Sequence, residues 1–169
     1  TDPLWIIEAG EHDIMWEAVN QSDVAKRQFI HVVTHHPAND VGDAHNLSDV
    51  MALGIPSVNL HAIPDQNALL KKPLSDWYWA RDHSDARVKW LWERGFTAQT
   101  AAMNYPAIVG YFDCSDAGMI YYWATLDNGS GGDQAADVPK LKKLFEDYLL
   151  AIPAKVKFKT PKVGDLFLP

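Results

Sequence analysis

Three apolar stretches separated by amphipathic ones occupy the first third of the chain. Leu4 to Ala9 (LWIIEA) is mostly apolar and stops at Gly10, which predicts a buried strand. Ile14, Met15, Ala18 and Val19 then recur at helical spacing, predicting a helix entered through a short Gly10 to Asp13 loop. Phe29 to Thr34 (FIHVVT) is a β-branched run and predicts a second strand. "NLSDVMALG" predicts a helix, with Asn46 or Ser48 at its start and Gly54 at its end. "PSVNLHAI" predicts a third strand. Strand and helix alternating through short connections indicate a parallel sheet with crossover helices.

The second half has a different texture. "LSDWYWARDHSDARVKWLWERG" is rich in Trp and charge, and Val88, Leu91 and Trp92 predict a helix ending at Gly95. "TAQTAAMNYP" suggests a further short helix stopped before Pro106. Ala107 to Phe112 reads as a strand, followed by an apolar helix starting near Ser115 or Asp116. "VPKLKKLFEDYLL" is amphipathic, with Pro139 in its first turn. The expected architecture is an open, mostly parallel α/β sheet with helices on both faces over residues 1–150. Residues 151–169, rich in Pro and Lys, read as an extended tail.

Composition adds bounds. With 169 residues and 47% hydrophobic positions, the chain is long enough for an ordinary core. A formal net charge of -7 argues against nucleic acid as a partner. No apolar run reaches the roughly 18 residues that span a bilayer, so no membrane association is expected. One cysteine, Cys114, forms neither an internal disulfide nor a Cys-rich zinc cage. A core strand beginning almost at Thr1 suggests a processed chain, an excised domain or half of a larger fold. A second chain or an N-terminal half is therefore an expected partner.

Ligands of open parallel sheets bind beyond the carboxyl ends of the strands. The loops of interest are then Gly10 to Asp13, His35 to Asn46, and Pro64 to Asn67, all polar. In the second, "VVTHHPANDVGDAHN" brings together His35, His36, Asn39, Asp40, Asp43, His45 and Asn46. Three readings stay open for it: a first-row metal site, a polar loop whose imidazoles bond the backbone, or a ligand site. Amides and imidazoles both donate and accept, which suits sugar hydroxyls. His12 is a further contact of this kind, and Asp13 beside it either caps a helix or serves a site. Asp113 and Asp116 offer oxygens suited to calcium, as does the "DNGSGGD" turn. Trp77 and Trp79 are candidates for stacking on a sugar ring. No G-x-S-x-G elbow, P-loop or Rossmann glycine pattern is present.

"PLWIIEAGEHDIMWEAV" resembles the strand–turn–helix of the nucleoside hydrolase-like superfamily. It is closest to bacterial members once labelled cellulose-binding. The ordered set continues with Asp65-Gln66-Asn67, Tyr105-Pro106, and Ser115-Asp116 opening "AGMIYYW", over residues 3–150. The resemblance implies an open α/β fold, calcium at the strand ends, and cleavage of a glycosidic bond through an oxocarbenium-like transition state. It places Asp116 at a late calcium-binding aspartate and Asp13 in a turn that lends a carbonyl to the metal. It sets Asn46, and Asn39 beside it, near sugar-binding asparagines. The family's D-x-D-x-x-x-D-D motif, source of most metal ligands and the general base, does not occur here, and Ser115 stands where a histidine often precedes the aspartate. The chain then resembles the C-terminal half of that fold, or a relative that has lost the chemistry. It is expected to bind a sugar or glycoside, and to hydrolyse one only with the other half. The alternative is a non-catalytic carbohydrate-binding or assembly module that uses the Trp-rich segment as its contact face.

Overall fold

The three predicted strands pair as a parallel sheet in the order β1–β2–β3. The computed structural model describes residues 2–40, 44–101, 110–127 and 136–150, without the side chains at 98–101 and 148–149. The elements are β1 (Leu4–Ile7), α1 (Asp13–Asn20), β2 (Ile30–Thr34), α2 (Leu47–Ala52), β3 (Leu60–Ala62), α3 (Asn67–Leu70), β4 (Lys71–Pro73), α4 (Tyr78–Arg81), α5 (Ala86–Ala101), β5 (Tyr111–Asp113), α6 (Ala117–Thr125) and α7 (Val138–Leu144). Among them no helix is long and apolar enough to cross a membrane. The expected tail, 151–169, lies outside the described residues, as do the "DNGSGGD" turn beyond Asp127 and the Tyr105-Pro106 pair.

Two compact units divide the chain, one of Thr1–Gln66 with Met119–Ala135 and one of Asn67–Gly118 with Ala136–Pro169. In the first, Leu4 pairs with Ile30, and Val32 with Leu60. Alternate residues of a strand face opposite sides of its sheet. Ile30 and Val32 accordingly pack with Met15 and Val19 of α1 and Val50 of α2, whereas Val33 packs with Ile63 and with Met119 and Tyr122 of α6. Both crossover helices share one face, as right-handed connections require, and α6 covers the other. The central strand β2 is therefore the most buried of the three.

The caps follow local chemistry. Asn46 is the N-cap of α2 and forms a reciprocal capping box with Asp49. Gly54 follows the helix at φ 107°, a left-handed conformation that glycine adopts without a Cβ penalty. Buried Arg27 donates to the carbonyls of Asn20 and Leu53, which satisfies chain ends of both α1 and α2.

The second unit holds a two-stranded antiparallel sheet, β4 with β5, in which Lys72 pairs with Phe112. This small sheet is separate from the parallel one, and β4 was not legible because "KKP" has no apolar alternation. Helix α5 runs through Gly95 to Ala101 instead of ending there. Gly95 faces the ring of Phe112, so the glycine admits a ring against the helix and does not stop it. Phe112 also stacks on Trp92, with centroids 5.2 Å apart, and meets Trp77 at 5.5 Å. At the start of α5, Arg87 N–H and guanidinium bonds hold the carboxyl of Asp85 at about 2, below its ordinary 3.8. Helix α7, N-capped by Asp137, widens into a π turn over Phe145–Leu149.

Candidate functional site

The parallel ladder continues one residue past the strands. Glu8 N–H donates to Val33 O, and Ile63 N–H to Thr34 O, each at 2.9 Å. This extension brings the starts of all three strand-end loops side by side. Between them lies a cavity of about 260 Å³ lined by His12, Thr34, His35, His36, Asp40 and Ile63, among others. It occupies the carboxyl end of the sheet, where open α/β folds take ligands.

Each imidazole has a fixed setting. His12 precedes α1 and is 1% exposed, with Nε2 3.2 Å from Asp40 Oδ1 and Nδ1 3.5 Å from Glu8 Oε1. Buried His35 accepts the Gln66 N–H at Nδ1, 3.4 Å away, and the same nitrogen stands 3.6 Å from Asp65 Oδ1. His36 Nδ1 accepts the N–H of Ala38 at 2.9 Å, so its ring proton resides on Nε2, which faces Asp65 Oδ2 at 3.8 Å. The cavity wall therefore carries groups that can donate and groups that can accept.

Asp13 is the first residue of α1 rather than its cap, and its carboxylate reaches across to the loop before α2. Oδ1 accepts the backbone N–H of His45 at 2.8 Å and Nδ1–H of the same residue at 2.9 Å, and Oδ2 accepts the N–H of Ala44 at 3.3 Å. The hydrogen bond from the His45 ring, aided by the two backbone bonds, lowers the carboxyl below its ordinary value. His45 in turn lies flat on Trp16, with centroids 3.8 Å apart. The carboxylate of Asp13 thus serves three N–H groups of the loop before α2. Among the described residues no group of three His, Cys, Asp or Glu could hold a metal ion.

The remaining candidates separate. Asn46 Oδ1 accepts from Asp49 N–H and Ser48 Oγ–H, so the side chain serves the helix start. Asn39 bonds His36 O through its backbone, and its Nδ2 is buried with no hydrogen-bond partner among the described residues. Asp116 is exposed in the turn before α6, in the second unit, whereas Asp13 belongs to the first. Trp77 and Trp79 also belong to the second unit. Trp77 is 4% exposed and packed on Phe112, and Trp79 contacts Phe145. Their rings are used within the protein. Asp65 belongs to the Asp65-Gln66-Asn67 motif quoted from the sequence, whereas Glu8 was not singled out there. Glu8 sits in an apolar-looking strand end, and the signal that marks it is a carboxylate four residues before His12.

No family model matches this chain, and no solved structure matches it. The uncharacterized protein P22 of Formosa agariphila is 44% identical over 150 residues, a match covering 88% of this chain and 53% of that protein. The chain thus spans about half the length of the curated relative it matches.

Proposed function

We propose that the strand-end cavity of the first unit binds a sugar or glycoside, in a nucleoside hydrolase-like domain. The observation that supports this reading is the cavity itself: about 260 Å³ at the carboxyl ends of parallel strands, walled by three imidazoles and the carboxylate of Asp40. Such groups exchange hydrogen bonds with a polyhydroxylated ring in both directions. Hydrolysis of a glycosidic bond belongs to the proposal only in company with a segment carrying the D-x-D-x-x-x-D-D motif, which this sequence lacks. Calcium enters with that segment.

Calorimetry against ribose, nucleosides and short oligosaccharides, with and without calcium, tests the reading. Binding is expected to be lost in His36→Ala, whose ring lines the cavity without supporting the core. A protein that binds none of these ligands, in either condition, would sink the proposal. Use of the Trp-rich segment as a contact face has less support, because Trp77 and Trp92 are core residues.

A further inference from the structure

Three ionisable side chains from two strand-end loops form a row at the cavity wall. Glu8 follows β1 and is 5% exposed, His12 precedes α1, and Asp40 ends the turn Pro37–Asp40. His12 stands between the two carboxylates, 3.2 Å from Asp40 and 3.5 Å from Glu8. Asp40 Oδ1 also accepts the N–H of Leu47, the first residue of α2, at 2.6 Å. That oxygen is held from two directions. Asp40 Oδ2 has no hydrogen-bond partner among the described residues, and Asp40 lines the cavity. The other titratable groups around the cavity are His35, His36 and Asp65, placed as described above.

One ring facing two carboxylates constrains where protons can be. A neutral imidazole has one N–H and one bare lone pair. With the hydrogen on Nε2, the nearer contact, the ring donates to Asp40. Nδ1 then lies 3.5 Å from Glu8 Oε1 without a hydrogen bond between them. The ring's firm carboxylate contact is the one that fixes Asp40.

We propose that in the Glu8–His12–Asp40 row His12 is a positioning residue, its Nε2–H fixing Asp40 Oδ1 with Glu8 behind the ring, and that Asp40 Oδ2 is the acceptor presented to a hydroxyl group of the ligand. The last clause rests on the sugar-site reading above, whereas the proton arrangement does not. A carboxylate pinned at one oxygen presents the other at a fixed position, so it selects a donor, such as a sugar hydroxyl, over an anionic substituent.

Long-range proton–nitrogen NMR spectra of the His12 ring, assigned in the whole chain, test the row. In the wild type the ring is expected to carry its hydrogen on Nε2. In Glu8→Gln, whose amide donates to Nδ1, the hydrogen stays on Nε2. In Asp40→Ala the acceptor is gone, and the hydrogen moves to Nδ1, toward Glu8. A wild-type ring with a bare Nε2, or an Asp40→Ala ring unchanged from wild type, would overturn the row. Asp40 is about half exposed, so its substitution leaves the core intact, and backbone N–H spectra verify that. Calorimetry with ribose forms the second arm. Asp40→Ala is expected to weaken binding about tenfold or more, the loss of one hydrogen bond to a charged acceptor, and Glu8→Gln to weaken it less. Equal binding by Asp40→Ala and wild type would overturn the acceptor role. A wild type that binds no sugar would overturn that role and the proposed function together, and the tautomer spectra would still decide the row.

Discussion

Gly95 lies against the ring of Phe112 with no room between them for a β-carbon. In an open helix interior, alanine in place of glycine stabilises by about 1 kcal/mol. Here the added carbon meets a ring that is itself buried and stacked on Trp92. Overpacking of this kind costs about 1–3 kcal/mol, which outweighs the propensity gain. Gly95→Ala is therefore expected to lower stability, read as a smaller urea midpoint. An unchanged or higher midpoint would show that the ring gives way.

The Asp13–His45 pair predicts a response to acid. Because the folded pKa of Asp13 is lowered from 3.8, its stabilisation is fully present above that value and is lost as pH falls below it toward the folded pKa. Thermal unfolding at pH 6 and pH 3 should show a smaller loss of Tm in Asp13→Asn than in wild type. Parallel losses in the two proteins would contradict the assignment.

His61 predicts a second response at higher pH. Its ring joins His31 at 3.0 Å and the Tyr122 hydroxyl at 2.8 Å, beneath Trp5. Burial, and then the neighbouring His31, lower its pKa from 6.5. A lowered histidine stabilises the fold above the ordinary value and loses that contribution as pH falls from 6.5 toward the folded pKa. His61→Gln should flatten the stability profile in the window just below pH 6.5. A profile of unchanged slope there would refute the prediction.

Asn46 separates capping from ligand contact. Replacing an N-cap asparagine by alanine costs about 1 kcal/mol. Asn46→Ala should destabilise by that order in urea, and Asn46→Asp, which keeps an acceptor for the Asp49 N–H, should recover most of it. If Asn46→Ala instead left stability intact and removed ribose binding, the side chain would be a ligand contact.

Cys114 should be slow to react. Its thiol is raised well above the ordinary value, chiefly by burial and then by Asp113 and Asp116. Since the thiolate is the nucleophile, alkylation at pH 8 is expected to run about tenfold slower or more in the folded protein than in urea. Equal rates would mean that the thiol is accessible and unshifted.

Much of the first unit was legible because its signals are local. Alternation and helical spacing marked β1, α1, β2, α2 and β3, and Asn46 and Gly54 marked the ends of α2. These features depend on neighbours within a few residues, and so the sequence alone determines them. The rule that ligands gather at the carboxyl ends of parallel strands then pointed to the loops that line the strand-end cavity.

Only the tertiary structure decided which polar groups meet. The ladder past β1 and β2 sets Glu8 beside His12 and Asp40, and the packing of α1 and α2 on one face brings Asp13 to His45, 32 positions away. It also turned Trp77 and Trp92 into core residues and Gly95 into a packing contact. Each of these depends on strand register and helix placement, which join residues far apart in sequence. A list of residue types carries no record of those distances, and so the sequence named the loops while the fold selected the partners.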